Sequence, residues 1–247
     1  MAVIAHRGYH RREPENSLAA FAEATAMGSD GIEVDVRLAG DGTLVCFHDW
    51  YLKRLTGASG RVGKIGIERL LETPLLHPQS RRRRPLATLP EVLSLVLDRA
   101  HIVLDLKKES VRPSTLEGNT VRLLREFGLL ETVTVSSFNP WVLRRIKQLA
   151  PEFTTALIAS SRLSVRLFNP DYCDGIHVQY PLLERRWFWR VAGNFRRIMV
   201  WTPDRRSDLT FPLADNIGGI ITNRPDRWGA TGSALRRITL RGAEHRG

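Results

Sequence analysis

The sequence predicts an α/β protein built as a TIM barrel, a closed (β/α)₈ fold, with a small insertion after the second strand. Short runs rich in Val, Ile and Leu alternate with segments of helical spacing, which is typical of parallel βα units. Roughly eight such units fit into about 225 residues, as a closed barrel requires. No G-x-G-x-x-G motif follows the first strand, which weakens the alternative of an open dinucleotide-binding sheet.

The composition is that of one folded domain. A chain of 247 residues with 43% hydrophobic residues can bury a large core, and no linker divides it, so we expect a single barrel domain over residues 1–247. The insertion is expected at about residues 50–85. A basic, loosely held tail is expected at about 228–247.

The formal net charge of +11 favours anionic partners. Phosphorylated small molecules and peripheral contact with an anionic membrane both fit this charge. Nucleic acid is not expected, because the arginines are scattered and no recognition motif or stacking-aromatic groove accompanies them.

The cysteines indicate a reducing compartment. Cys46 and Cys173 lie far apart and neither belongs to a C-x-x-C pair, so we expect buried thiols in a cytoplasmic protein. The N-terminal residues run directly into a strand, without a basic region or a long apolar span. Neither secretion nor a membrane helix is therefore expected.

The first βα unit and the hairpin after it have clear boundary signals. Residues 3–5 predict a strand, and Asn16 or Ser17 can cap a helix that Gly28 ends. The next strand is expected at 31–36. An Asp41-Gly42 turn should join it to a hairpin strand at 43–47.

Residues 50–85 interrupt this alternation. Glycines recur every three residues from Gly57 to Gly66 and break any helical or strand period. We expect an irregular segment packed over one end of the barrel, in which the run Arg81 to Arg84 is a solvated loop.

The remaining chain alternates regularly. A helix should begin at Thr88-Leu89-Pro90-Glu91, where proline occupies the first turn. The strands and helices expected after it are strands 101–106, 132–136, 153–158, 175–178, 197–201 and 218–222, and helices 113–127, 139–149, 161–168, 182–192 and 207–214.

Ionisable side chains occur repeatedly where predicted strands end, which in a barrel of this type is the functional face. Glu33 and Asp35 are two residues apart, so on a strand their side chains leave the same face. Two such carboxylates repel each other unless a cation lies between them. The other strand-end groups are His6, Arg7, His48, Asp49, Asp105 and Lys107.

Together these groups favour phosphoester cleavage. The carboxylates Glu33, Asp35 and Asp105 suit one hard divalent cation, Mg²⁺ or Ca²⁺. Arg7 and Lys107 can contact a phosphate. His6 and His48 can exchange protons near neutral pH. A serine hydrolase is disfavoured because no G-x-S-x-G motif is present.

The chain resembles bacterial glycerophosphodiester phosphodiesterases from its first strand to its last. The residues that carry the resemblance are His6-Arg7-Gly8, Pro14-Glu15-Asn16-Ser17, Gly31-Ile32-Glu33-Val34-Asp35, Asp41-Gly42, His48-Asp49, Thr88-Leu89, Ser136-Ser137-Phe138-Asn139-Pro140, Val200-Trp201-Thr202 and Gly219-Ile220-Ile221-Thr222-Asn223-Arg224-Pro225-Asp226.

The resemblance implies hydrolysis of glycerophosphodiesters to glycerol 3-phosphate and an alcohol, through attack by the substrate's own glycerol hydroxyl and a cyclic phosphate. It implies that His6 and His48 are the acid/base pair, without saying which is the base in the first step. Glu33, Asp35 and Asp105 correspond to metal ligands, and Arg7 and Lys107 to phosphate contacts. Glu15 and Asn16 are expected to support the substrate-binding groups. Phe138 and Trp201 are expected either to line the glycerol end of the pocket or to pack in the barrel.

One position departs from the family pattern. Phosphodiesterases usually carry E-x-K where this chain has Asp105-Leu106-Lys107, a feature shared with sphingomyelinase D-type phospholipases. A phospholipase D-type enzyme acting on lysophospholipids is therefore an alternative, as is a non-catalytic barrel that binds anionic membranes. Aspartate is one methylene shorter than glutamate, so the metal must lie closer to Asp105 or bind it through a water.

Overall fold

An eight-stranded parallel barrel forms the centre of the molecule in the computed structural model, which describes residues 1–97, 99–108, 115–209 and 217–229. Strand β1 pairs in parallel with both the second and the last strand of the chain, so the sheet closes on itself. The strands are β1 (Ala2–His6), β2 (Gly31–Leu38), β3 (Leu44–Cys46), β4 (Leu75–Leu76), β5 (Arg83–Arg84), β6 (His101–Leu106), β7 (Val133–Ser137), β8 (Thr154–Ala159), β9 (Gly175–Gln179), β10 (Ile198–Trp201) and β11 (Ile217–Thr222). The prediction of a TIM barrel is confirmed.

The helices of the described chain are α1 (Leu18–Ala26), α2 (Lys53–Thr56), α3 (Ile67–Leu71), α4 (Leu89–Val96), α5 (Thr115–Glu126), α6 (Pro140–Leu149), α7 (Arg162–Val165) and α8 (Arg186–Ala192). Six of these helices follow barrel strands and pack on the outside of the sheet, and α2 and α3 lie in the insertion. Short 3₁₀ turns occur at Val62–Lys64, Tyr180–Glu184, Arg206–Asp208 and Pro225–Arg227. Ser17, not Asn16, is the residue that caps α1, with its hydroxyl accepting from the backbone of Ala20.

The predicted helix over 182–192 is wrong in its first part. A 3₁₀ turn occupies Tyr180–Glu184, and the extended backbone of Arg185 separates it from α8. The 3₁₀ turn and the extended Arg185 together prevent one continuous helix over 182–192. For the predicted helix 207–214, the described part is the turn Arg206–Asp208, and residues 210–216 lie outside the described chain. Most of the predicted basic tail, residues 230–247, also lies outside it.

Each barrel strand has one face towards the helices and one towards the barrel centre, because side chains alternate along a strand. The interior is filled by residues such as Ile4, Val103, Met199 and Ile221, which pack together. Above this apolar layer, at the C-terminal ends of the strands, lie the charged groups. The core therefore supports the charged face from below and separates it from the opposite end of the barrel.

The insertion at 50–85 is ordered, which corrects the expectation of an irregular segment. It contains α2, α3 and the antiparallel pair β4–β5, and an apolar cluster joins its Leu52 and Leu70 to Phe47, which precedes it. The glycines that obscured its periodicity allow reversals between short elements. Gly57 and Gly60, for example, have φ of 76° and 134°, where a side chain would be strained.

The arginine run is not simply a solvated loop, which corrects a second expectation. Arg82 and Arg84 both form ion pairs with the buried carboxylate of Glu13, Arg84 through its Nε at 2.8 Å. Arg81 and Arg83 are exposed as expected. The run therefore attaches the insertion to the loop after β1, a contact between residues about 70 positions apart that no local pattern reveals.

Both cysteines are buried free thiols, as predicted. Within the described residues, no helix is both long and apolar enough to cross a bilayer.

Two histidines on the interior face of the barrel make stability depend on pH. Burial, with the charge of Arg197, lowers the pKa of His101 to about 4. Burial, with the charges of His101 and Arg197, lowers the pKa of His177 to about 3. Both remain neutral in the folded state, whereas an unfolded histidine gains a proton below pH ~6.5. Acid therefore favours the unfolded chain.

We expect the variant His177→Gln to lose this dependence at one site. As the pH is lowered from 6.5 to 4, the free energy of unfolding of the wild type should fall relative to that of the variant by about 1 kcal/mol per pH unit. Urea unfolding of both proteins across this range measures the difference, in which shared titrations cancel. A constant difference at all pH values would show that His177 does not remain neutral in the fold.

Candidate active site

Three buried carboxylates meet at the C-terminal ends of β2 and β6. One oxygen each of Glu33, Asp35 and Asp105 can be chosen so that all three lie within 4.8 Å of one another. The parallel register pairs Asp35 directly with Asp105, and Glu33 lies two residues earlier on the same face of β2. The sheet geometry therefore brings together residues about 70 positions apart.

The three carboxylates differ in their environment. Burial, together with the charges of Asp35 and Asp105, raises the pKa of Glu33 well above its usual value. Burial would also raise the pKa of Asp35, but the charges of Lys107 and Arg7 outweigh it and hold that pKa below the usual range. Burial raises the pKa of Asp105 despite the adjacent Lys107. The cluster carries more negative charge than its local cations stabilise.

Asp35 is the most firmly held of the three. Its Oδ2 accepts from Asn16 Nδ2 at 2.8 Å and lies 3.0 Å from Arg7 Nε, while its Oδ1 lies 2.9 Å from Lys107 Nζ. Asn16 returns the contact, because its Oδ1 accepts from the backbone N–H of Asp35 at 3.1 Å. Asn16 is fully buried and uses both polar atoms on Asp35, so it orients this carboxylate.

The loop after β1 brings Arg7 to the cluster through an unusual backbone. Arg7 and Asn16 both have φ of 56°, and a hydrogen bond joins Asn16 N to Arg7 O at 3.0 Å. Gly8 follows with φ of 77°, and a Cβ there would lie 2.6 Å from the backbone of Ala20. Such left-handed conformations in non-glycine residues occur mainly where function requires them.

Glu15 connects Arg7 to the insertion. It accepts from Arg7 Nη1 at 2.8 Å and from both terminal nitrogens of Arg54 at 2.7 and 2.9 Å. Burial would raise the pKa of Glu15, but the hydrogen bonds from Arg54 and the charge of Arg7 lower it to about 2. Glu15 therefore stays charged and holds the Arg7 guanidinium in position.

His6 is oriented by an amide on the opposite side of the barrel closure. Its Nδ1 lies 2.7 Å from Asn223 Oδ1, while its Nε2 lies 3.9 Å from Glu33 Oε2. Asp204 fixes the amide orientation, because its Oδ2 accepts from Asn223 Nδ2 at 2.9 Å. The amide oxygen must then face His6, so Nδ1 carries the proton and Nε2 presents its lone pair towards the carboxylates. Burial, followed by the charge of Arg7, lowers the pKa of His6 to about 3.

His48 has a different partner. Its Nδ1 donates to Asp49 Oδ1 at 2.7 Å, and Arg54 binds both oxygens of Asp49 at 2.6 and 2.9 Å. The backbone carbonyl of His48 accepts from Arg37 at 2.6 and 2.9 Å. His48 is therefore hydrogen-bonded to a carboxylate, whereas His6 is hydrogen-bonded to a neutral amide.

A cavity of about 680 Å³ opens beside the carboxylates, between the insertion and the strand ends. His48, Asp105 and Lys107 line one part of it, and Trp50 and Phe138 line another. Phe138 packs edge-on against Trp201, with ring centroids 5.8 Å apart. Trp201 itself donates its indole N–H to the carbonyl of His177 at 3.1 Å, so it packs in the barrel and contacts the cavity wall through Phe138.

The donor set fits a hard divalent cation. Asp105 Oδ1 is buried and lacks a hydrogen-bond partner, because Lys107 Nζ contacts Asp105 through Oδ2 and Asp35 through Oδ1. Buried carboxylate oxygens without donors are unfavourable unless a cation satisfies them. Three oxygen ligands without sulfur or nitrogen suit Mg²⁺ or Ca²⁺.

The structure thus brings the predicted site residues together on one face. It also adds groups that sequence reasoning left without a role: Asn223 and Asp204 behind His6, Arg54 behind Asp49, and His10, whose Nε2 lies 3.1 Å from Asn223 Oδ1. Asn223 belongs to a segment that resembles the family, which marked the region but not the contact. Asp204 and Arg54 had no sequence signal.

We expect Asn223→Ala to lower kcat about 10- to 100-fold while KM changes little, because His6 loses the acceptor that sets its tautomer. Steady-state kinetics on a soluble glycerophosphodiester measure both constants. His10→Ala serves as the control, since it removes the other partner of the same amide. Equal losses in kcat and in thermal stability for both variants would indicate a purely structural role for Asn223.

Comparisons with known proteins agree with this arrangement. A sequence model of the glycerophosphoryl diester phosphodiesterase family matches residues 6–227. A glycerophosphodiester phosphodiesterase of Caldanaerobacter subterraneus subsp. tengcongensis is 30% identical over 237 residues, which cover 91% of this chain and 94% of that protein. One from Bacillus altitudinis is 32% identical over 237 residues, covering 91% and 95%.

The fold comparison gives the same result. The structure of an Oleispira antarctica phosphodiesterase in complex with the product sn-glycerol-3-phosphate superposes with a TM-score of 0.80 over 96% of each chain, at 23% identity. At that identity the likeness establishes the fold, and the family match establishes the relationship. The predicted family and enzyme class are confirmed, and the chain is a member of the glycerophosphoryl diester phosphodiesterase family.

Proposed function

We propose that the protein hydrolyses glycerophosphodiesters to glycerol 3-phosphate and an alcohol, using one divalent cation, His6 and His48. The observation that carries this proposal is the meeting of three buried carboxylates with Arg7 and Lys107 on one barrel face, beside a neutral His6. Family membership and the relatives' names support the substrate class.

Glu33, Asp35 and Asp105 would hold the cation, which when bound supplies positive charge to the phosphate. The inclusion of Asp105 is supported by its register with Asp35 and by its unpartnered Oδ1. Arg7 and Lys107 would bind phosphate oxygens from the side of Asp35, held there by Glu15 and Asp35 itself. Phe138 and Trp201 would enclose the glycerol end.

We assign His6 as the base of the first step. Its Nε2 accepts the proton of the glycerol 2-hydroxyl while that oxygen attacks phosphorus, which forms a five-membered cyclic phosphate. His48 donates its Nε2 proton to the departing alkoxide, because the Asp49 carboxylate stabilises the imidazolium that donates. In the second step the roles reverse. His48 takes a proton from water, the hydroxide opens the ring, and His6 returns its proton to the glycerol 2-oxygen.

A chelator experiment tests the proposal as a whole. Purified protein is assayed with glycerophosphocholine, glycerophosphoethanolamine and lysophosphatidylcholine, with EDTA and after return of Mg²⁺ or Ca²⁺. We expect release of glycerol 3-phosphate from the first two substrates and a loss of at least about 100-fold with EDTA. Faster release of lysophosphatidate from the lysolipid would favour the phospholipase D-type alternative. Cytoplasmic location remains a prediction.

A further inference from the structure

The barrel face that carries the site also exposes large apolar side chains at its edge. Phe138, Trp141 and Leu163 have 44%, 52% and 70% of their surface exposed. Phe138 and Trp141 follow β7, and Leu163 follows β8, which is its parallel neighbour in the sheet. The C-terminal ends of neighbouring parallel strands lie side by side, so these side chains occupy one sector of the rim. Clusters of large exposed apolar side chains are uncommon on protein surfaces and often mark sites of interaction with a partner or a membrane.

Arginines are frequent in the segments that follow these strands. The described segments 138–145, 160–167 and 180–186, which follow β7, β8 and β9, carry six arginines and one acid, Glu184. Arg144 lies over the ring of Trp141, and Arg162 over that of Trp187, each with its guanidinium carbon 5.6 Å from the ring centroid. The combination of exposed arginine with tryptophan and leucine is suited to a lipid headgroup layer, where anionic groups and apolar chains lie within a few ångströms.

We propose that this surface, the rim patch (Phe138, Trp141, Arg144, Arg162, Leu163 and Arg186), docks the protein on an anionic lipid surface. A second copy of the chain is a poor occupant, because the patch would place arginine against arginine. Single-stranded nucleic acid is an outcome of the test, because Phe138 and Trp141 offer rings for base stacking, whereas Leu163, the most exposed member, suits the apolar part of a lipid layer. Docking does not require the proposed hydrolysis, so the inference goes beyond it.

Docking through the rim patch would turn the catalytic face towards the membrane. Phe138 belongs both to the patch and to the cavity wall, and Lys107 Nζ lies 5.5 Å from its ring centroid. The cavity would therefore open close to the headgroup layer, where products of phospholipid deacylation arise. The opposite end of the barrel, which includes Leu130 and Arg99, would face away.

Vesicle sedimentation tests the inference. The complete protein is mixed with vesicles of 30% phosphatidylglycerol in phosphatidylcholine, or of phosphatidylcholine alone, at low and high salt. We expect binding to the anionic vesicles only, weakened by salt. Arg144→Glu/Arg162→Glu should reduce vesicle affinity at least about 25-fold, since each arginine near such a surface is worth roughly a factor of five. Leu163→Ser should reduce it several-fold.

Arg99→Glu and Leu130→Ser are the matched controls, since both residues are exposed at the other end of the barrel. They should bind vesicles as the wild type does. All variants should hydrolyse soluble glycerophosphocholine at the wild-type rate, which shows that they are folded and separates this test from that of the proposed function. Absence of binding to anionic vesicles at low salt would overturn the proposal. So would equal losses in the rim and control variants, or tighter binding to single-stranded RNA than to vesicles.

Discussion

Replacing His6 or His48 by alanine is expected to lower kcat for glycerophosphocholine by roughly 100- to 10,000-fold, because each side chain transfers a proton in the rate-limiting bond changes. The two variants should differ when the leaving group changes. In a p-nitrophenyl ester of glycerol 3-phosphate the leaving group is p-nitrophenolate, which departs without protonation, so this substrate should restore much of the rate of His48→Ala. It should not restore His6→Ala, which lacks the base for the attacking hydroxyl.

Steady-state kinetics with both substrates measure this difference, and thermal melting shows whether the variants are folded. His10→Ala is the comparison variant, because His10 contacts the same Asn223 amide but is not one of the proposed proton-transfer groups. Rescue of His6→Ala, with none of His48→Ala, would exchange the two roles. Wild-type turnover in either variant would remove that histidine from the mechanism.

Replacing the carboxylates is expected to separate activity from stability. Asp35→Asn and Glu33→Gln should both lose roughly 1,000-fold in kcat, equivalent to about 4 kcal/mol. Asp35→Asn should also lower the free energy of unfolding by about 3 kcal/mol, because Arg7 and Lys107 lose a buried partner. Glu33→Gln should leave it unchanged or raise it in EDTA, because burial and its acidic neighbours already oppose the Glu33 charge.

Urea unfolding with EDTA or with excess Mg²⁺ or Ca²⁺ measures these effects. The wild type should gain about 2.7 kcal/mol when the free cation is ~100 times its dissociation constant, and both variants should gain much less. The glutamine in Glu33→Gln can still accept from the backbone N–H of Arg7, which Glu33 Oε2 binds at 3.0 Å, so the loop after β1 keeps this contact. Equal stabilisation of all three proteins by the cation would place the metal elsewhere.

Some contacts of the site can be predicted from the sequence, and others cannot. Glu33 and Asp35 were predictable as a pair because strand periodicity alone places them on one face. Asp105 lies about 70 positions away, and no local rule brings it to Asp35. The parallel register of β2 and β6 supplies that contact. Glu13 shows the opposite outcome, because its pairing with Arg82 and Arg84 depends on how an insertion folds back over the rim.

The sequence by itself determined the alternation of strands and helices, the barrel class and the identities of the reactive side chains. These follow from periodicity and residue chemistry, which are local properties. Only the tertiary structure decided that His6 is hydrogen-bonded to Asn223 and His48 to Asp49. It also decided that Asp35, and not Glu33, forms the ion pairs with Arg7 and Lys107. Barrel closure sets the contact between His6 and Asn223, because it joins β1 to β11 and places residue 6 beside residue 223. The physical reason is that hydrogen bonds and charge interactions depend on distances through space, which the order of residues along the chain does not contain.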